Sequence, residues 1–433
     1  MEEKEKPEIK REAKDYLNLW RSEAQNHYRT AKNKAESKKE EKKKGIPKSA
    51  GNKVTDFFHN RIFSWAYHYF RSRFGAKNEF LNYTSTEDNG VYKLEKTSSE
   101  DKAGISIALV SDWATDTDQS NKIASLVQDR EPDYSIHLGD TYFVGMKIEM
   151  DISFLSKESC WYRGTSGSFS LLGNHEMYSR GVSYFKDLLP SMGIYSKEQN
   201  KYLGQKASYF CLENEHWRII SLDTGYNSVG TPIIEFIFPA KCELEESIMN
   251  WLDKTLDLKN DKRGIVILTH HQYCSAFEGD YKKSAEQLAS IIGKERNVLW
   301  FWGHEHRLTA YGKYKTENGI TAYGRCIGHG GMPVEFKEKI KEDKAKECNL
   351  VLYDDRKLTK IENMDIGYNG FAMLNINGEE LSAEYIDSND EMLFKEVWIS
   401  DNQSGQIKGK EIIVNCKDKD FIVYADDVKK AIS

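Results

Sequence analysis

Six short, almost wholly apolar runs in this chain, ISIALVSD, YSIHLGD, SFSLLGNHE, WRIISLDT, GIVILTHH and VLWFWGHEH, each break off into polar residues. Continuous apolar runs of this length suit strands buried on both faces, as in a sheet covered by helices. Between them lie amphipathic stretches, such as Leu244, Ile248, Trp251, Leu252 and Leu256 at helical spacing. Alternating strands and helices predict an α/β domain, in which functional groups gather beyond the carboxyl ends of strands. The residues that end the runs therefore carry the candidate chemistry: Asp112, Asp140, Asn174 with His175, His270 with His271, and His304 with His306.

At 433 residues the chain is longer than one ordinary domain, and 39% hydrophobic with 12% aromatic residues is enough to drive a large core. We expect a charged helical N-terminal extension over residues 1–100, the α/β domain over 101–400 and a tail over 401–433. The runs GITAYGRCIGHGG, GFAMLNING and ELSAEYID read as antiparallel strands, the last two joined at Asn377-Gly378 and preceded by a charged insert at 337–366. A formal charge of −6 excludes a general attraction to nucleic acid or anionic membrane. Residues 31–53 nevertheless hold nine Lys against three Glu, a solvated helix end or linker that leaves a nucleic-acid or membrane-surface role open. Val54 to Phe70 carries an aromatic helical stripe, either packed on the main domain or forming an oligomer or partner interface. The first residues lack the apolar core of a signal peptide and no window holds eighteen consecutive apolar residues, so a cytoplasmic protein with no transmembrane segment is expected. The seven scattered cysteines, none in a CxxC arrangement, read as reduced thiols.

Phosphate esters repel nucleophiles, and paired cations that bind the ester, activate water and neutralise charge answer that difficulty. The ordered blocks Asp112 in SDW, Asp140 in LGDTY, Asn174-His175 in LGNHE, His270 in LTHHQ and His304 with His306 in WGHEH resemble the calcineurin-like metallophosphoesterases, including the purple acid phosphatases, over roughly residues 104–395. Segments such as SDWATDT, IHLGDTYFVG and IGHGGMPV are similar to a bacterial branch of that superfamily. The resemblance implies a four-layer sandwich, two mixed β-sheets flanked by helices, with an N-terminal helical extension. It implies that Asp140 bridges two metal ions, with Asp112 and His306 on the first and Asn174, His270 and His304 on the second. It places His175 beside them, to hydrogen-bond phosphate or protonate the leaving oxygen. His271 is a second catalytic candidate with two readings, reserve ligand or phosphate contact, although strand alternation points it away from His270.

This chain departs from the family at the first metal. Ala114 stands where many members have His, and Phe143 where purple acid phosphatases have a tyrosinate, while Tyr142 lies one residue earlier and completes the shell only if the loop is shifted. The expected cofactors are two divalent or mixed-valence ions, Mn, Fe or Zn, with Mg less favoured. The function implied is hydrolysis of a small phosphate ester by a metal-bound hydroxide; a phosphodiesterase or nuclease, and a degenerate scaffold acting by protein contact, are the alternatives.

Among nearby residues, Gly139, Gly173 and Gly303 suit tight turns into the ligand loops. His137 and His216 read as core or edge histidines, and His329 as a pocket-rim candidate. Arg180 and Arg307 are phosphate contacts or surface residues, and Asp116 and Asp118 are further carboxylate candidates or caps for a helix from about residue 119.

Overall fold

The computed structural model describes residues 67, 68, 71, 76–96, 104–157, 159–229, 240–336, 338–361 and 364–431. The Lys-rich run and most of the aromatic stripe lie outside the described residues.

Among these residues two nine-stranded sheets face each other. In the first, Trp217–Ser221, Gly264–Leu268, Asn297–Trp302 and Thr321–Ile327 run parallel, and Leu308–Lys315 and Leu350–Asp354 continue antiparallel. In the second, Ile105–Val110, Tyr134–His137 and Gly167–Ser170 form the parallel centre. Gly370–Asn377, Glu380–Asp387, Met392–Asp401 and Gln406–Val414 extend it as an antiparallel meander. The expected hairpin at Asn377-Gly378 is present, with Gly378 at φ +59.

Period-two patterning explains the layers. Ile107, Leu109, Ile136 and Phe169 point to the seam between sheets, where they meet Ile219, Val266, Leu299 and Phe301. Alternate residues face outward, under Glu246–Asn250 and Lys282–Ile292 on one side and Asp118–Gln128 on the other. The result is the helix–sheet–sheet–helix sandwich expected from the sequence.

A buried ion pair crosses the seam. Arg325 is fully buried and donates in bidentate fashion to Glu396 on the other sheet, Nε to Oε1 at 2.9 Å and a terminal nitrogen to Oε2 at 2.6 Å. Tyr385 donates to the same carboxylate and Tyr311 O takes another Arg325 proton, so the pair is well supplied with partners.

Segments outside the expected 101–400 unit join these sheets. Val91–Lys93 pairs with Phe210–Glu213, and Gln406–Val414 and Phe421–Val423 each close a sheet edge. The charged insert supplies Leu350–Asp354. Helix Asp118–Gln128 is capped by Thr117, whose Oγ1 accepts the Ser120 N–H at 3.1 Å, rather than by Asp116 or Asp118. A hydroxyl at N-cap does the work for which a carboxylate was expected.

Candidate metal centre

The segments after Val110, His137, Ser170, Leu268 and Trp302 converge at one rim, although they come from both sheets. Backbone bonds stitch them: Asp112 N–H to Gly139 O at 3.1 Å, and Gly303 N–H to His270 O at 3.1 Å. Asp112, Asp140 and His304 sit at φ 54, 71 and 63, a left-handed region that costs a non-glycine residue of order 1 kcal/mol or more. Their side-chain bonds hold them there. Asp112 Oδ2 accepts from Ser111 Oγ at 2.7 Å and from the His304 N–H at 2.9 Å, and Asp140 Oδ1 accepts the His175 N–H at 2.9 Å.

Two of the glycines act by close approach rather than by turning. A Cβ on Gly173 would lie 2.1 Å from Asp140 Oδ1, and one on Gly303 would lie 1.8 Å from Ser111 Oγ. Only a residue without a side chain lets these loops meet.

The donors fall into two groups that share Asp140. In one, the buried Tyr142 hydroxyl lies 2.8 Å from Asp112 Oδ1, 3.1 Å from Asp140 Oδ2 and 3.0 Å from His306 Nε2. Tyr142 thus reaches this group from the position before Phe143. In the other, Asn174 Oδ1 lies 3.1 Å from His270 Nε2 and 3.0 Å from His304 Nδ1, and His270 Nε2 is 3.3 Å from Asp140 Oδ2.

The set fits cations. One phenolic proton faces two carboxylate acceptors in the first group, with His306 Nε2 alongside, a surplus of lone pairs that a metal ion would take up. In the second, His270 gives Nδ1–H to Leu138 O at 2.9 Å, which turns Nε2 toward the centre in the manner of a metal-ligating imidazole. Burial disfavours charge on His270, yet the adjacent Asp140 carboxylate outweighs it and raises the imidazole to about 9; the same contact holds Asp140 well below the usual carboxylate range against its own burial. Burial, then Asp112, holds the Tyr142 phenol well above its ordinary value, so a phenolate there requires a cation.

His175 gives Nδ1–H to Phe143 O at 2.8 Å, and its Nε2 faces Asp140 Oδ2 at 3.8 Å. Burial holds this imidazole below its ordinary value. His271 does not point away from His270. Both lie past the last strand residue, Leu268, where alternation no longer applies; their rings meet edge to face at 4.8 Å, and His271 reaches the His304 ring at 4.6 Å.

Other expectations resolve without a role at the centre. His137 is enclosed by Trp113, Phe154 and Trp161, and His216 is partly exposed near Asn402. His329 is buried rather than at a rim, under the loop whose Met332 N–H binds Asp112 O. Arg307 is neither a surface residue nor a partner of the described donors: its guanidinium lies 3.8 Å over the Phe277 ring. Arg180 contributes its carbonyl to the Asn78 N–H.

Sequence reasoning missed the braces. Glu176 accepts N–H bonds from Gly173, Asp140 and Thr141 at 2.9, 3.2 and 2.7 Å, tying the GNHE block to the GD block; burial, then Asp140, raises it to about 7. Glu149 does the same for Phe143, Val144 and Met146 at 2.5, 3.1 and 2.8 Å. Glu176 was within reach of sequence reading, because a Glu three residues into a helix reaches back to its first N–H groups.

Residues 105–308 match the family model described as Calcineurin-like phosphoesterase. No curated protein matches the sequence. Among solved structures, the chain is similar to GAP50, the anchor in the inner membrane complex of Plasmodium, at 13% identity and TM-score 0.42, covering 70% of this chain and 91% of that one. PhoD gives 11% identity, TM-score 0.46 and 72% coverage of each chain. Yfce, a phosphoesterase from E. coli, gives 9% identity and TM-score 0.27, covering 67% of this chain and 98% of that one. With the ordered blocks and the two-sheet fold that brings them together, residues 105–308 belong to the calcineurin-like phosphoesterase family, a class of metal-dependent hydrolases of phosphate esters.

Proposed function

We propose that this chain hydrolyses phosphate esters at a pair of metal ions held between its two sheets. The observation that carries the reading is the position of the Asp140 carboxylate, with Tyr142, Asp112 and His306 on one side and His270, Asn174 and His304 on the other. When bound, such ions supply Lewis acidity toward the phosphate oxygens and activate water as the nucleophile. Asp112, Tyr142 and His306 would hold the first and Asn174, His270 and His304 the second, with Asp140 shared. The first set is rich in oxygen and suits Mn or Fe, while the second, with two imidazoles, also accepts Zn.

His175 is the proposed general acid. Phe143 O fixes its Nδ1–H, so the proton it can pass on is the one carried at Nε2, on the side of Asp140. Burial lowers its pKa, so the neutral ring keeps its one proton on Nδ1 and Nε2 must take up a proton before it can deliver one to the leaving oxygen.

The experiment is a screen of the purified chain, loaded with Mn²⁺, Fe or Zn²⁺, against phosphate mono- and diesters. Metal-dependent turnover, abolished in Asp140→Asn and His304→Ala, is the expected result. Absence of turnover on every ester with every metal would overturn the proposal in favour of a scaffold acting by contact. In the iron-loaded protein a visible charge-transfer band lost in Tyr142→Phe is expected, and its absence from wild type would remove Tyr142 from the ligand set.

A further inference from the structure

Five arginines are buried among the described residues, and four of them have polar partners. Arg218 pairs with Glu213 and Asp261, Arg325 with Glu396 and Arg356 with Asp354 and Asp387, while Arg296 donates to the carbonyls of Leu258 and Gly405. Arg307 is the exception. It is 7% exposed, yet its guanidinium makes no hydrogen bond or ion pair with a described residue, and its Nε is sealed from solvent without an acceptor. The terminal nitrogens are not sealed in that way, so their N–H donors open outward. A guanidinium stripped of most of its water with no bonds in return is a standing cost, and a carboxylate or phosphate docked against its fork would offset it with two charge-assisted bonds.

Aromatic contact holds the group in place. Its central carbon lies 3.8 Å over the Phe277 ring, which packs edge-on against Tyr353 at 5.4 Å. The turn carrying Phe277 is fixed to the histidine block, because Ser275 Oγ accepts the Phe277 and Glu278 N–H groups at 2.9 and 2.8 Å and donates to Glu305 Oε2 at 2.7 Å. Glu305 is thereby turned toward Ser275 and Trp302 rather than toward Arg307. Arg307 directly follows His306, and Phe277 lies in the segment that begins with His270, so both belong to stretches that carry proposed metal ligands.

We infer that Arg307 is an anion clamp beside the metal centre, taking a second phosphate or carboxylate group of the substrate while the first is bound at the metals. The preferred esters are then those with a second acidic group elsewhere in the molecule. The inference rests on the phosphoesterase reading and narrows its substrate class.

The test uses the full chain loaded with Zn²⁺ and non-cleavable phosphonates as probes: n-alkylphosphonates and, at matched chain lengths, their counterparts ending in a second phosphonate or in a carboxylate. Calorimetry gives the affinities, and metal content is measured on the same samples. At the length that spans the two positions the diacid is expected to bind roughly tenfold tighter than the alkylphosphonate, and that ratio to fall to about one in Arg307→Met. In Arg307→Lys, which keeps the charge but not the fork, the ratio should fall only partway. The two diacid series tell whether phosphate or carboxylate is the group taken. The inference is overturned if no diacid outdoes its alkyl counterpart, or if the advantage survives in Arg307→Met, as it would were Arg307 only balancing the charges of Glu305 and Asp355. It is overturned too if that variant loses a metal ion, which would make Arg307 a support for His306. Arg307→Gln provides the same readouts if the methionine variant does not fold. Turnover of simple esters with no diacid preference would sink this inference and spare the hydrolase reading; an Arg307-dependent preference in a protein that cleaves no ester would do the reverse.

Discussion

The side chains at the rim are governed by what burial does to their protons. Asp223 lies away from the proposed metal ligands and shows the effect in isolation: burial raises its carboxyl from 3.8 to about 6, against the pull of the Ser208 and Tyr226 donors. Over the window from about pH 4 to about 6 the native chain keeps a proton that the unfolded chain has released, so folding stability falls as pH rises through it. A shift of this size corresponds to something on the order of 3 kcal/mol. Asp223→Asn should flatten that slope, as read by urea midpoints at either end of the window. Residue identities were legible from the blocks alone, because a strand end followed by Asp, Asn or His has few other uses. The partner of the His271 ring was not, since it is Thr224, 47 residues away in sequence.

Between strands, the loops are held by carboxylates that point inward at backbone N–H groups. Glu149 collects three such donors from the segment after Tyr142. Removing it in Glu149→Ala leaves buried donors without an acceptor, at a cost of about 3 kcal/mol in stability. Because the same segment carries Tyr142, affinity for the first metal should also fall, roughly tenfold as for other groups that orient ligands; metal titration beside a thermal melt would separate the two losses. The strands and their polar endings could be read from apolar runs and hairpin residues, whereas the turns could not. Tyr142 shows why: spacing within the block argued against it, and only the path of a loop braced from Glu149 brings its hydroxyl between Asp112 and Asp140.

Across the whole molecule, the two sheets meet through an apolar seam with a buried ion pair inside it. Arg325→Ala would strand the Glu396 carboxylate in that seam and should destabilise the protein by about 3–5 kcal/mol, whereas Arg325→Met with Glu396→Leu should recover most of the loss, a comparison made by denaturant melts. The layer order was legible from alternation and run length, but the partners of the terminal strands were not: Val91–Lys93 and Phe421–Val423 are short pieces whose places depend on edges left by distant strands. The position of Asp140 on one sheet and of His270 and His304 on the other makes the rim a joint. Cations gripping both halves of a joint act as a rivet, so shear between the layers and occupancy of the rivet hole oppose each other. Loading the metals would then slow the parting of the layers, and substitutions deep in the seam would loosen the rivet without touching it.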